Sequence, residues 1–384
     1  MLLNNIHIIG SADQQDIWVA DGKIRSVGGN GPYAGGPGIN FENAIAFPGL
    51  INSHDHLDFN LFSQTGNRIY NNYTEWGKDV AENDQDNIDE IIRIPRSLRT
   101  QWGIYKNLLN GITTVVNHGE PLPVNDSPIT VFQDCYSLHS VHYERNWRSK
   151  LNALFKRNRP FVIHIGEGTD ITSGTEIDTL LKGNFLKRKL VAVHGVMMNE
   201  AQAGRFHALV WCPASNFFLL GQTAKVERLK AHTPIIFGTD STLTAGWNAW
   251  QQLREARHTG SLSDQELLDA IGSRAADVWG LNAGAIKTGK DADIVIAKNK
   301  NSETDMDAFY ELDPEDILLV MHKGNIRLFD ESLHEQVKGS SVVEHFSKVM
   351  VNGKVKFIEG DLPALMEEIR KYKEDIYFPV SGSA

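Results

Sequence analysis

The stretch PGLINSHDHLDF, residues 48–59, is an apolar run that ends on two histidines, His54 and His56, one residue apart. Strand side chains alternate between faces, so positions i and i+2 aim at one place and the two imidazoles converge. A single His-x-His says little in a chain with fourteen histidines. It gains weight from four other groups. The run PFVIH (160–164) ends at His164 and continues IGEG, which places Glu167 in the following loop. LVAVH (190–194) ends at His194, and PIIFGTD (234–240) ends at Asp240. Three neutral imidazoles and a carboxylate suit one divalent metal ion: zinc, with iron or manganese as alternatives. Such an ion lowers the pKa of water from ~15.7 toward ~7. A carboxylate touching that water takes its proton, and Asp240 suits this role.

Each of these residues has a plainer reading when taken alone. A histidine closing a strand is commonly a satisfied polar group, an aspartate after a strand is commonly a helix N-cap, and Glu167 alone reads as surface charge. What joins them is the architecture. Apolar strands GITTVV (111–116), PFVIH, LVAVH, ALVWCP (208–213) and PIIFGTD alternate with polar, helix-like segments. That pattern signals a parallel sheet covered on both faces. About eight βα units over residues 44–282 predict a (β/α)8 TIM barrel, whose usual size is ~250 residues and whose strand C-termini form the active face. All the groups above then stand on one rim. SLSDQELLDAIGSRAADVWGL, from Ser261, predicts a helix with Ser263 and Glu266 as a capping box.

The two chain ends echo one another. DIWVADGKIRSVG and KVMVNGKVKFIEG place Asp21-Gly22 and Asn352-Gly353 between alternating apolar runs, and ILLVMHKGNIRLFD (317–330) forms a third such unit. These are hairpin signals. The ends are expected to share a small β-sandwich, residues 1–47 and 286–384, the latter with a C-terminal helix, around a barrel at 48–285. The segment 57–94 is too long and polar for a βα loop and reads as a lid or binding loop. Its Arg68 and Trp76 are candidate substrate contacts, beside Tyr70 and Tyr73.

Composition narrows the class. Hydrophobic residues make up 41% and charged ones 22%, ordinary globular usage. No run approaches the ~18 apolar residues of a membrane span, and MLLNNIHIIGS lacks the basic start of a signal peptide. Two cysteines, Cys135 and Cys212, each in an apolar stretch, predict buried thiols in a cytoplasmic protein. A formal charge of -10 disfavours nucleic acid and anionic membrane, leaving a small-molecule substrate.

PGLINSHDH, the strand-end histidines, the HxxE of HIGE, CPASN and GTDS together resemble the amidohydrolase superfamily. The resemblance spans nearly the whole chain, since GAIKTGKDADIVI, from Gly284, looks like the return from barrel to sandwich. Within the superfamily the chain is similar to the cytosine deaminase, guanine deaminase and triazine hydrolase branch, which typically holds one metal. The resemblance implies that His54, His56, His164 and Asp240 bind the ion, and that Glu167 shuttles protons to a ring nitrogen and the leaving group. It further implies that His194 bonds the attacking water or the substrate, and that Asn216 lies near the substrate. The implied activity is deamination of a small nitrogen heterocycle by activated water. The alternative is hydrolysis of a cyclic amide, or of a halide or alkylamine on such a ring. A homodimer is common among relatives.

Two-metal members often use a carbamylated lysine at the end of strand four, yet no lysine lies between Lys106 and Lys150. Another two-metal type uses a glutamate after strand three, a place that Glu120 fits. The chain departs from the branch at Asn117, where relatives more often have aspartate, and at CYSLHSVHYERNW. There His139 and His142 read either as a substrate contact or as part of a surface helix.

Overall fold

The computed structural model describes residues 1–28, 38–124, 126–154, 158–338 and 345–382. Strands from both ends of the chain build one sheet. The N-terminal contribution is β1 (Leu2–Ile8), β2 (Gln14–Ala20), β3 (Lys23–Val27), β4 (Ile39–Asn40) and β5 (Ala44–Pro48). The next eight strands are β6 (Leu50–Asp55), β7 (Ile112–Asn117), β8 (Thr130–Phe132), β9 (Tyr136–Ser140), β10 (Phe161–Ile165), β11 (Leu190–His194), β12 (Ala208–Trp211) and β13 (Ile235–Phe237). The C-terminal contribution is β14 (Ile294–Lys298), β15 (Ile317–His322), β16 (Asn325–Asp330), β17 (Phe346–Val351), β18 (Lys354–Glu359) and β19 (Val380–Gly382).

The two ends meet where β14 pairs antiparallel with β5, Val295 opposite Phe47. Alternating apolar residues such as Ile6, Ile17, Ile294, Met321 and Phe329 give this sheet a core of its own. The three hairpin signals hold. Asp21-Gly22, Lys323-Gly324 and Asn352-Gly353 all have positive φ at both positions, the turn whose twist matches paired strands.

The middle of the chain is α/β. Strands β9 to β13 form a parallel sheet in sequence order, and β6 to β8 form a second parallel arc. At the junction of the arcs, the Asp240 N–H just past β13 donates to the His54 carbonyl at 3.0 Å, and Thr239 N–H donates to Asn52 Oδ1. Strands β6, β10 and β11 are buried throughout, as helices on the outside require. β6 is the exception in composition, since Asn52, Ser53, His54 and Asp55 have no exposed surface. Their burial is tolerated because partners reach them: Asn52 Nδ2 donates to Thr239 Oγ1 and Asn107 Oδ1, and Trp279 Nε1 donates to Ser53 Oγ.

Three local readings change. The expected helix after Ser263 keeps its capping box but stops at Ala270 and restarts at Ser273. The Ile271 carbonyl accepts from Ile51 N–H of β6, and a Cβ on Gly272 would press on a carbonyl at 3.1 Å, so strand contact overrides helical continuity. The stretch around His139 is strand β9, not a surface helix, because it pairs with β10. Residues 57–94 hold helices α1 (Tyr73–Asn83) and α2 (Gln85–Ile92), with the Asn72 side chain capping α1. Three further helices matter below: α3 (Arg96–Leu109), α4 (Trp147–Leu151) and α5 (Ile171–Gly183). The helix Leu362–Arg370 lies near the C-terminus as anticipated. Among the described residues no helix is long and apolar enough to cross a membrane.

Candidate active site

The strand ends bring His54, His56, His164, His194 and Asp240 together. The Nε2 atoms of His54 and His56 each lie 3.3 Å from Nε2 of His164. Asp240 Oδ1 is 3.8 Å from His54 Nε2 and 4.0 Å from His56 Nε2. Two overlapping sets, His54 with His56 and His164, and His54 with His194 and Asp240, have ligand atoms within 4.8 Å of one another.

Backbone carbonyls fix what these nitrogens can do. His56 Nδ1 faces the His118 carbonyl at 3.0 Å, and His164 Nδ1 faces the His139 carbonyl at 2.9 Å. A carbonyl accepts only, so both Nδ1 atoms carry hydrogen and both Nε2 atoms present lone pairs. Two lone pairs facing each other at 3.3 Å repel unless a cation lies among them. The spacing also equals the edge of a tetrahedron with the usual Zn–N length, about 3.3–3.4 Å. Burial, then the neighbouring imidazoles, hold His54 and His164 well below the ordinary histidine pKa, which keeps them neutral as ligands must be. The donor set therefore fits a divalent ion.

Asp240 and His194 stand in left-handed backbone, φ +58° and +71°. Such geometry costs a non-glycine residue on the order of 1–3 kcal/mol and clusters at functional sites. Asp240 is aimed by its neighbours. Ser215 and Thr244 hydroxyls donate to Oδ2 at 2.8 and 3.1 Å, and the Ser241 N–H donates to Oδ1 at 2.8 Å. Burial opposes its charge, but His194, His56 and these donors together pull its pKa below the usual carboxylate value. Glu167 goes the other way. It is 7% exposed, and burial first, then Asp240 and Glu176, raise its carboxyl well above the ordinary range. His194 links the two: Nε2 lies 3.6 Å from Glu167 Oε1 and 3.9 Å from Asp240 Oδ2. Its Nδ1 bonds Asn216 Oδ1 at 2.8 Å, so Nδ1 carries the hydrogen and Nε2 is left as an acceptor. Asn216 is anchored in turn through Thr223.

A cavity of about 530 Å³ opens beside the rim, with His56, His118 and His164 in its wall and Arg96, Tyr136 and His139 around it. Glu120 lines it too, but its side chain is 87% exposed and pairs with Arg96, outside both ligand sets. Arg68 lies at the surface, paired with Glu75 at 2.5 Å and stacked on Tyr70. Trp76 donates to the Thr65 carbonyl and packs in a small cluster with Tyr70, Val196 and Leu219. Neither is brought to the rim atoms. Both thiols are free; Cys212 is buried, and burial pushes half-buried Cys135 up to about 12.

Several supporting residues escaped the reading of the sequence. Asp55 lies between the two rim histidines and, by strand alternation, points the opposite way. There it accepts from Lys106 at 3.1 Å, Asn107 at 2.8 Å and Asn60 at 2.9 Å. His118 stacks on His164 with ring centroids 4.2 Å apart. The HDH triplet was a signal for Asp55; nothing local marked Lys106, a fully buried lysine.

The comparisons agree with this geometry. The amidohydrolase family profile matches residues 148–355, more than half of the chain. A 5-methylthioadenosine/S-adenosylhomocysteine deaminase of Archaeoglobus fulgidus is 29% identical over 129 residues, which cover 29% of this chain and only 30% of that protein. Among solved structures, a zinc-bound adenosine deaminase of Xanthomonas campestris is similar at TM-score 0.71 and 15% identity, covering 98% of both chains. A zinc complex of atrazine chlorohydrolase from Arthrobacter aurescens gives TM-score 0.65 and 17% identity over 85% of this chain and 94% of that one. A guanine deaminase of C. acetobutylicum with bound guanine gives 0.60 and 17%, over 85% and 99%. With that family's profile matched over more than half of the chain, the chain belongs to the amidohydrolase family.

Proposed function

We propose that the protein is a metal-dependent aminohydrolase that releases ammonia from a small nitrogen heterocycle. The observation that carries this reading is a pair of buried carboxyl groups on one rim, Glu167 and Asp240, that both face His194 Nε2, at 3.6 and 3.9 Å; burial and Asp240 raise the pKa of the first, while His194 and the hydrogen-bond donors lower that of the second. Environments that push two titratable groups apart assign an acid and a base. The supporting frame is a single (β/α)8 barrel over 48–285 made of the two parallel arcs, with a β-sandwich built by residues 1–47 and 286–384.

In this reading His54, His56, His164 and Asp240 hold one divalent ion, zinc by analogy with the zinc-bound neighbours. The ion supplies Lewis acidity, which makes water a source of hydroxide near neutral pH. Asp240, kept as a carboxylate, accepts the water proton. Glu167, kept protonated by burial, donates to the ring nitrogen as oxygen adds to the amine-bearing carbon. Of the two water protons, now on Asp240 and on the adding oxygen, the resulting Glu167 carboxylate takes one and passes it to the departing amine, then takes the other, which restores its protonated form as the carbonyl forms. Water and the amine are consumed, and a ring carbonyl and ammonia leave. His194 Nε2, an acceptor, orients the water or the protonated Glu167. The cavity beside the rim lies in the size range of small-molecule sites. Asn216 acts here by fixing His194. Substrates are small molecules handled in the cytoplasm, by a chain that works alone or as a homodimer.

The test is ammonia release from a panel of purines, pyrimidines, pterins, triazines and cyclic ureas, with zinc-loaded wild type beside Glu167→Gln. Glutamine keeps the shape but carries no proton, so turnover should fall by roughly 10²–10⁴ while metal content stays unchanged. A loss of only a few-fold would make Glu167 a bystander and favour hydrolysis of an amide or halide instead.

A further inference from the structure

Glu167 has a peculiarity for a group that must carry protons: among the described residues no hydrogen bond reaches its carboxyl, and His194 Nε2 stands 3.6 Å from its Oε1. Its direction is therefore set by its backbone. That backbone is stitched to the far excursion after β6. Tyr73 N–H donates to the Glu167 carbonyl at 3.1 Å, Gly168 forms an isolated bridge with Asn72, and Thr169 N–H donates to the Asn71 carbonyl at 2.7 Å. Asn72 Nδ2 reaches Asp170 at 2.6 Å. The contact is close enough that a Cβ on Gly168 would lie 2.7 Å from the Asn72 Cβ.

Behind this seam is a half-buried carboxylate that the proton transfers do not use. Glu176, on α5, accepts from the Tyr73 hydroxyl at 2.9 Å. The backbone N–H groups of Gly166, Val141 and His142 lie near the same carboxylate and favour its charged form, against a burial that raises its pKa. One side chain thus joins α5, the turn that carries Glu167, the segment after β9 and the start of α1. Tyr73 is 6% exposed, so its ring and hydroxyl are fixed by the same contact.

We propose that Glu176 and Tyr73 are positioning residues for Glu167, so that the excursion at 71–76 completes the proton-carrying site as well as covering it. This rests on the role of Glu167 given above. Removing this bond from either side loosens the turn at 166–169 and lets the Glu167 carboxyl swing from His194, a displacement of the kind that costs turnover without changing what the ion or the ring binds to.

The full chain tests this in two ways. Amide exchange needs no substrate: Glu176→Gln and Tyr73→Phe should each speed exchange at Tyr73 and Thr169 by roughly tenfold or more, with β11 and β12 unchanged. Turnover gives the link to Glu167, with adenosine and guanine as probes. Each variant should lower kcat about tenfold with KM within about two-fold, and in a Glu167→Gln background the same changes should cost less than about two-fold. Tyr73→Phe, which keeps the ring, carries the test where Glu176→Gln does not fold. Unchanged exchange at Thr169, or equal losses in both backgrounds, overturns the proposal. Absence of turnover on every probe would count against the deaminase reading, while the exchange result would still decide this one.

Discussion

The terminal sheet and the rim both bury charge, and they do it in opposite ways. In the terminal sheet, Lys356 of β18 is fully buried, and its ammonium meets the Glu315 carbonyl at 2.8 Å, the Ile317 carbonyl at 2.6 Å and Asp330 Oδ2 at 2.7 Å. Three N–H donors find three acceptors. At the rim, by contrast, lone pairs point at lone pairs across 3.3 Å, and among the described residues His54 Nδ1 has no partner. A buried polar group left unsatisfied costs about 1–3 kcal/mol. The first site is closed on itself, and the second leaves converging donor atoms of the kind that fit a divalent ion.

The contrast is broken most severely at the rim. His56→Ala removes one of three converging Nε2 atoms and should take the bound metal from about one ion per chain to a small fraction of that, with loss of turnover. Elemental analysis of the purified variant decides it. Because the bond to the His118 carbonyl is lost while a lone-pair repulsion is relieved, the metal-free variant should unfold within about 1 kcal/mol of metal-free wild type. Retention of the ion would move the binding set to His54, His194 and Asp240. Two ions per chain would revive the Glu120 alternative despite that side chain's exposure.

Lys356→Met is the mirror experiment. It leaves Asp330 facing apolar surroundings without its cation and should destabilise the fold by about 3 kcal/mol, the usual result of breaking a buried pair from one side. Metal content and the kinetics of the surviving folded fraction should stay as in wild type. Chemical denaturation with metal analysis reads both. A variant that folds normally but loses metal would show that the terminal sheet supports the rim more directly than its separate core suggests.

The same contrast explains what could be read from the sequence. The rim was legible because its chemistry lies at strand ends, where an apolar run simply stops on a histidine or aspartate, as in LVAVH and PIIFGTD. The hairpins were legible because Asp-Gly and Asn-Gly are local instructions. What stayed hidden depends on partners far away in the chain. Lys106 meets Asp55 across 51 positions and Glu176 meets Tyr73 across 103, and no local pattern marks either. β8 and β9 are short, half-buried and polar, so TVF and YSLHS carry too weak an apolar period to announce strands. Arg68 and Trp76 looked available for substrate by type alone, whereas Glu75 and the Thr65 carbonyl already engage them. The helix after Ser263 broke because β6 required the Ile271 carbonyl.

The smallest expected effect concerns the pH response of the closed site. Burial would raise the pKa of Asp330, yet Lys356 and the Ser332 donors more than offset it and hold the carboxyl below its ordinary value. The folded state therefore binds this proton less readily than the unfolded chain. A depressed folded pKa gives stability that is fully present above the unfolded value of about 3.9. It is lost as pH falls through the folded value. Asp330→Asn removes the charge in both states, so at pH 7 it should cost on the order of 2 kcal/mol, the worth of a hydrogen bond to a charged group. The difference between wild type and variant should then narrow steadily as pH falls below about 4. Urea unfolding of the two metal-free proteins at pH 7, 5, 4 and 3 measures this difference directly, and comparing them cancels the titration of the rim, which both share. A gap that stays constant down to pH 3 would mean that Asp330 contributes through shape and not through charge. The terminal sheet would then hold Lys356 mainly by the carbonyls of Glu315 and Ile317, and Lys356→Met should be correspondingly milder than the value given above.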